Sequence, residues 1–321
     1  IFDIFQASFH QAIEAPIPIP EKTDIEFRAI ASSSNADLKI AAAFDSNSNR
    51  VVIVYSDRND GKKGTGVVGV VSGTSISFGT PVVFLANTVA SVGATYDINA
   101  NKIVITYGDQ SNSDGARVSG TVSGTSISFG TVTQFAADYI DNTDLVYDSN
   151  SNKVVAVYTL NANQGSAVVL TYSGSNTYTG GTRVVWAPGV ITRALSACFD
   201  SDRNQIIIAF CDYSNSQRGT TIVGTVSGTS ISFGTETVFE NDGVGTTQGV
   251  LGVAYNSTFS RVIIAYAPLN TNYGEIALGT NSGTTVSVFN RQIFNAAQTN
   301  GFISVVSDPQ ANGAVVAYRD G

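Results

Sequence analysis

Four runs in this sequence could in principle hold a cation. Asp45-Ser-Asn-Ser-Asn49, Asp97-Ile-Asn-Ala-Asn101, Asp148-Ser-Asn-Ser-Asn152 and Asp200-Ser-Asp-Arg-Asn204 share the opening of a calcium loop, where alternate side-chain oxygens converge on a hard ion. None continues with the glycine and the downstream bidentate acid that complete such a loop, so no metal is expected. The same residues suit a tight turn, in which Asp caps backbone N–H groups and Asn takes the left-handed conformation. A second acidic series, Asp57, Asp109, Asp212 and Asp320, follows an aromatic residue by two positions. With Tyr213 beside it, this series is a candidate set of ligand-binding loops for sugar hydroxyls, the alternative being that each acid bonds an amide of its own loop. Nucleophilic catalysis by Ser or Cys needs a base, and His10 is the only histidine, outside the repeated part of the chain. Glycoside cleavage needs two carboxylates, and the small-residue strands offer Asp144 alone. No catalytic residue, cofactor or metal site is therefore expected.

The elements that would position these residues form a repeat. An acid or amide ends one apolar segment and an aromatic ends the next, ten residues on: Asp45/Tyr55, Asp97/Tyr107, Asp148/Tyr158, Asp200/Phe210, Asn256/Tyr266 and Asp308/Tyr318. The steps between units are 52, 51, 52, 56 and 52 residues, with repeats starting near 38, 90, 141, 192, 248 and 300. A second marker, the run from Ser72 to Thr80, recurs identically at Ser123 to Thr131 and Ser227 to Thr235, with degenerate copies near Ser173 and Ser282. Each unit reads as four strands. In the first unit these are Ile40 to Phe44, Val51 to Tyr55, Gly66 to Val71 and Ser75 to Phe84. The second is apolar on both faces, as a strand between neighbouring sheets must be. The fourth alternates, as a half-exposed strand should. Six such units predict an all-β, six-bladed β-propeller of four-stranded blades, an open solenoid or stacked sandwich being the alternatives.

The sixth unit holds only two strands, Phe302 to Val306 and Ala314 to Tyr318, before the chain stops at Gly321. The N- and C-terminal segments are therefore expected to share the closing blade, with Asp24 to Ile30 as its fourth strand, because an unpaired edge invites aggregation. Residues 24–321 then form the propeller. Residues 1–23 are an N-terminal arm in which Ile1, Phe2, Ile4, Phe5 and Phe9 precede Pro16-Ile-Pro-Ile-Pro20, a stiff extended segment. Burying such side chains is worth about 1.5–3 kcal/mol each, so the arm is expected either to strap its own rim or to bind a neighbouring subunit.

Lys+Arg number 17 against Asp+Glu 25, a net charge of −8 without a basic cluster, which argues against a nucleic-acid partner. No run of 18 apolar residues marks a membrane span, and Ile1 to Phe9 carries no base of a signal peptide. A chain that begins with Ile reads as a processed product or as part of a longer polypeptide. If Ser201 to Asn204 makes a hairpin turn, Cys198 faces about residue 207. Cys211 then lies beyond disulfide reach of it.

Val71-Ser-Gly-Thr-Ser-Ile-Ser-Phe-Gly-Thr80, together with the turn from Phe44 to Asn49 and the strand from Val51 to Tyr55, resembles the repeats of propeller-like structural proteins of bacteriophages and other aquatic viruses, and of some bacterial surface proteins. The resemblance covers residues 36–321. It implies a virion or an extracellular, cell-surface setting and a non-enzymatic role in assembly, as tail, fibre or decoration. The partners would be neighbouring copies or other structural proteins. The Ser-x-Asp-x-Gly-x-Thr-Trp boxes of sialidase-type propellers are absent, Trp186 being the only tryptophan. The alternative is a glycan-binding adhesin or lectin whose partners are cell-surface glycans.

Overall fold

The computed structural model describes residues 2–8, 23–25, 40–73, 75–160, 164–187, 194–245, 250–299, 301–308 and 313–319. The chain divides into two compact units, Ala29–Pro188 with Val226–Ile231, and Ile1–Arg28 with Gly189–Thr225 and Ser232–Gly321. The first holds repeats 1 to 3 and the tip of one hairpin of repeat 4. The second holds the remainder of repeat 4 and repeats 5 and 6.

In the first unit, Ile40–Asp45, Arg50–Asp57, Lys63–Ser72 and Ser75–Phe78 pair antiparallel in chain order. Repeat 3 does the same with Ile140–Asp148, Lys153–Leu160, Gln164–Gly174 and Thr177–Gly180. Repeat 2 shares the long strand Val82–Asp97 with repeat 1, which fuses their sheets into one of nine strands. In the second unit, repeat 5 is the meander Leu251–Asn256, Arg261–Tyr266, Gly274–Asn281 and Val286–Asn295. Among the described residues, helix is confined to two single 3-10 turns, Arg58–Asp60 and Tyr213–Asn215.

Each five-residue turn works as its sequence implies. Asp45 accepts from the N–H groups of Asn47 and Ser48 at 2.9 and 3.0 Å. Asp148 accepts from Asn150 and Ser151, and Asp200 from Asp202 and Arg203. The last turn residues, Asn49, Asn101, Asn152 and Asn204, have φ of 56°, 53°, 53° and 55°, the region asparagine tolerates best after glycine. Cys198 lies opposite Ile207 and Cys211 opposite Gly219, so the register separates the two thiols.

The aromatic that ends each second strand is buried in all six repeats, from Tyr55 at 7% exposure to Tyr107, Tyr158, Phe210 and Tyr266 at 0%. In four of them, repeats 2, 3, 5 and 6, its ring meets an aromatic from the fourth strand of the preceding repeat. The centroids of Phe84 and Tyr107 are 5.3 Å apart, those of Phe135 and Tyr158 5.2 Å, those of Phe239 and Tyr266 5.2 Å, and those of Phe294 and Tyr318 5.0 Å. Such tilted pairs add about 0.5–1.5 kcal/mol each beyond area burial. A glycine on the third strand clears the space. A methyl on Gly64, Gly219 or Gly274 would lie within 2.4, 2.5 or 2.3 Å of the Phe84, Phe239 or Phe294 ring.

The recurring Ser-Gly-Thr-Ser-Ile-Ser-Phe-Gly-Thr run differs from expectation in one respect. Its fourth strand is not continuous from Ser75 to Phe84 but stops at Phe78 and resumes at Val82. Gly79 occupies the break and donates its N–H to the Val68 carbonyl at 2.9 Å. It also admits the Thr125 carbonyl oxygen, from the corresponding turn of the next repeat, to 1.8 Å from where a Cβ would stand. The equivalent contact joins Gly130 to Asn176, Gly181 to Thr229 and Gly234 to Thr284. At these four junctions a turn of the motif docks backwards on a glycine of the preceding copy, which accounts for how little the motif varies.

One junction in the first unit shows compensation. Between repeats 1 and 2, Phe129 fills the space over Gly66. Between repeats 2 and 3 the small residue is Gly180 and the large one Arg117, whose Nη1 lies 3.6 Å from the Gly180 Cβ position. Arg117 is 8% exposed and donates from Nε and Nη2 to the Tyr178 carbonyl at 2.9 and 2.6 Å. Burial pulls its pKa downward. Arg117→Ala leaves a void and that buried carbonyl without its donors. It is expected to cost about 2–3 kcal/mol, read as a lower urea midpoint at unchanged slope.

The closing sheet corrects the reading of the arm. Phe2–Ser8 is the third strand of repeat 6, antiparallel to Gly313–Arg319 from Phe2 opposite Arg319 to Ser8 opposite Gly313. Thr23–Ile25 follows as the fourth strand, overlapping the expected Asp24 to Ile30, of which residues 26–30 lie outside the described residues. The edge of Gly313–Arg319 needs backbone partners, and any extended segment can supply them without the repeat's side-chain motif.

Candidate functional site

Each described loop acid singled out by the sequence bonds donors of its own loop. Asp57 caps the turn Arg58–Asp60, accepting from the Asn59 N–H at 3.0 Å. Asp109 is buried and accepts from the N–H groups of Ser111 and Asn112 and from Asn112 Nδ2. Asp212, also buried, caps Tyr213–Asn215 and accepts from Ser214 Oγ and the Asn215 N–H. Tyr213 is exposed at 42% within that turn. Asp320, Ile1, Phe9 and His10 lie outside the described residues. Of the arm residues, Phe2, Ile4 and Phe5 stand in register with Arg319, Ala317 and Val316. Asp144 is half-buried, and its carboxylate accepts from the Leu145 N–H. The carboxylates of the calcium-like turns are engaged by their own turn amides. Among the described residues no three His, Cys, Asp or Glu side chains are grouped to hold a metal.

The polar constellation of greatest interest lies in the second unit, where repeat 4 meets repeat 5. Glu240 closes the fourth strand of repeat 4, Thr237–Glu240, directly after Phe239. Tyr266 ends the second strand of repeat 5, Glu275 stands at the start of its third, and Arg291 projects from Val286–Asn295. Arg291 Nη1 donates to Glu240 Oε2 at 2.7 Å, and its Nη2 donates to the Phe239 carbonyl. The Asp242 N–H donates to Glu240 Oε1 at 2.9 Å. The Tyr266 hydroxyl lies 3.2 Å from Glu240 Oε2 and 3.1 Å from Glu275 Oε2. At the rim, Asn270 Nδ2 donates to Asp242 Oδ2 at 2.8 Å.

The Glu240 side chain is only 4% exposed, whereas that of Arg291 is 43% exposed. The pair is therefore anchored at one end and open to solvent at the other. A guanidinium carries five N–H donors and only two are engaged by these bonds, so Arg291 can still donate outward. Glu275 is half-buried, and burial, with the charges of Glu240 and Asp242 added, holds its carboxyl above the usual 4.5 despite the Tyr266 bond and the Arg291 charge. Burial likewise pushes the Tyr266 phenol upward. Two carboxylates this close invite comparison with a glycosidase pair. The phenol oxygen, however, occupies the space between them where a sugar ring would have to react. The arrangement is one for holding polar groups.

This cluster was readable as a departure from the repeat. After the fourth-strand aromatic, repeats 1 to 3 carry Leu85, Ala136 and Ala187 where repeat 4 carries Glu240. After the third-strand glycine, repeats 1 to 4 carry Thr65, Ala116, Ser166 and Thr220 where repeat 5 carries Glu275. Attention to loop acids and to the small-residue strands passes over both positions, because they become neighbours only where two sheets meet.

The sequence matches no protein-family model and no curated protein. Solved structures do resemble it. The BP39L lectin from Burkholderia pseudomallei superposes with a TM-score of 0.66 at 11% identity, over 90% of this chain and 81% of that one. A variant of the Aleuria aurantia lectin in complex with alpha-methyl-L-fucoside gives 0.57 at 13% identity, over 89% and 88%. Sqt1 from Chaetomium thermophilum, bound to the N-terminus of the ribosomal protein L10, gives 0.51 at 14%, over 85% and 68%. At such identities the likeness speaks for the fold alone: the chain is an all-β protein of the β-propeller class.

Proposed function

We propose that this protein is a glycan-binding lectin of propeller fold and that Arg291, Glu240, Glu275 and Asp242 form a sugar site. The observation that carries the reading is the partly exposed arginine–carboxylate cluster around Tyr266, set where other repeats have Leu85, Ala136 and Ala187. Vicinal sugar hydroxyls both donate and accept. A guanidinium beside carboxylates therefore matches them with charge-assisted bonds. That two of the structural neighbours are lectins, one holding a fucoside, supports the same reading. The assembly role drew in part on the arm as a connector, and part of that arm, Phe2–Ser8, is paired with Gly313–Arg319 of the same chain. An extracellular or cell-surface setting accompanies the lectin reading.

The test is a glycan array probed with the labelled full chain, followed by titration calorimetry. Since the equivalents of Glu240 in repeats 1 to 3 are apolar, the expected stoichiometry is one sugar per chain, with a dissociation constant on the order of 0.1–1 mM. A blank array sinks the reading. Binding of several sugars per chain moves the site elsewhere.

A further inference from the structure

The geometry around Tyr266 sets a proton-counting problem. Its oxygen makes two close contacts, 3.2 Å to Glu240 Oε2 and 3.1 Å to Glu275 Oε2, yet the phenol has one hydrogen. Both contacts are hydrogen bonds only if one carboxyl contributes a second hydrogen. Glu240 is not that group, because Arg291 Nη1 and the Asp242 N–H already donate to its two oxygens. Glu275 has Tyr266 as its hydrogen-bond partner among the described residues.

We propose that Glu275 takes up a proton and donates it to Tyr266, which donates its own to Glu240, making the junction of repeats 4 and 5 a latch that tightens on acidification and loosens as the proton leaves. The chain of donors is then complete: Glu275 Oε2–H to Tyr266 Oη, Tyr266 Oη–H to Glu240 Oε2, with Arg291 and the Asp242 N–H holding Glu240 ionised. When Glu275 loses its proton, carboxylate and phenol lone pairs face each other across 3.1 Å in a half-buried setting, and one bond of the relay is lost. The charged or titratable groups facing Glu275 are Tyr266 from the second strand, Glu240 and Asp242 from repeat 4, and Arg291 from the fourth strand. A bond donated by the Tyr266 hydroxyl and the charge of Arg291 favour the ionised form, and the two acids oppose it. Burial adds to the acids, and the balance lies with the protonated form being favoured above the ordinary glutamate range.

The sign follows from linkage. A carboxyl that holds its proton more tightly in the folded state contributes stability that is present at low pH and lost as pH rises from the usual 4.5 through the folded value. Two other acids act in the opposite sense. Asp202 is held low by bonds from Ser260 and Tyr255, and Asp45 is held low because its Ser48, Tyr96 and Asn47 bonds outweigh burial. The profile of the whole chain therefore mixes contributions, and the difference between variants isolates the latch.

Thermal unfolding of the sugar-free full chain, over about pH 4 to 8, tests the proposal with wild type and Glu275→Gln. The Gln side chain carries a permanent N–H donor for Tyr266. The wild-type Tm is expected to lose roughly 2 °C or more relative to the variant as pH rises through the window. Parallel profiles overturn the proposal. Should Glu275→Gln not fold, infrared spectroscopy of the wild type decides instead. A protonated-carboxyl C=O band persisting above the pH at which exposed glutamates ionise supports the latch, and its absence overturns it. Neither readout involves sugar, so a failed latch and a failed sugar site are told apart.

Discussion

Gly79→Ala is expected to destabilise the protein by about 3 kcal/mol or more, far beyond what one added methyl costs on a surface. A Cβ there would stand 1.8 Å from the Thr125 carbonyl oxygen, and the obstacle is backbone rather than a movable side-chain tip. Relief requires the turn Ser123 to Thr125 to withdraw, which also strains the bond from the Gly79 N–H to the Val68 carbonyl. Overpacking of this kind costs about 1–3 kcal/mol when side chains can adjust and more when they cannot. Gly181→Ala, which meets the Thr229 carbonyl at the same 1.8 Å, should behave alike. Gly124→Ala is the control from within the same motif. It has a φ of 61° and nothing within 4 Å of its Cβ position, so it should show only the left-handed penalty of about 1–2 kcal/mol. Urea denaturation of the three variants separates the effects. Equal losses at Gly79 and Gly124 would mean that the turn-to-glycine contact is not what keeps the motif invariant.

The second large effect is expected at Arg291. Removing its side chain leaves Glu240, 4% exposed, as a buried carboxylate whose remaining donors are the Asp242 N–H and Tyr266. Breaking one side of a buried ion pair costs about 3–5 kcal/mol. The half-exposed position of Arg291 lets water replace part of what is lost, so about 2 kcal/mol is expected for Arg291→Ala. Sugar binding should fall at least tenfold, because the outward donors go with the side chain. The double variant Arg291→Ala/Glu240→Leu separates the two consequences. Leucine is what repeat 1 carries at this position, as Leu85, so the double variant should regain most of the stability while binding remains lost. Recovery of binding together with stability would show that Arg291 only supports the fold and that sugar is held elsewhere.

Much of this protein follows from spacing along the chain. An acid or amide and an aromatic ten residues apart, recurring through six units, define two strands and the turn between them. The turn needs nothing beyond local chemistry, since Asp45 and Asn49 satisfy it from within five residues. For the same reason the opposition of Cys198 and Ile207 was legible in advance. The repeated aromatics and glycines were visible as a pattern but not as partners. That Phe239 meets Tyr266 edge to face, that Gly79 receives the Thr125 carbonyl and that Arg117 replaces a phenylalanine ring are contacts between repeats.

Register within a hairpin is set by neighbours in sequence, so the sequence alone determined the strands, the turns and the capping role of their acids. Contact between sheets depends on how one folded meander lies against the next, and no local rule encodes that. Only the tertiary structure decided that Phe2–Ser8 completes the last sheet, because backbone pairing asks for an extended segment and not for a particular motif. It alone brought Glu240 and Glu275 to one phenol oxygen. Their positions are 35 residues apart in the numbering and on different sheets, and a hydrogen bond between side chains requires both sheets to be in place.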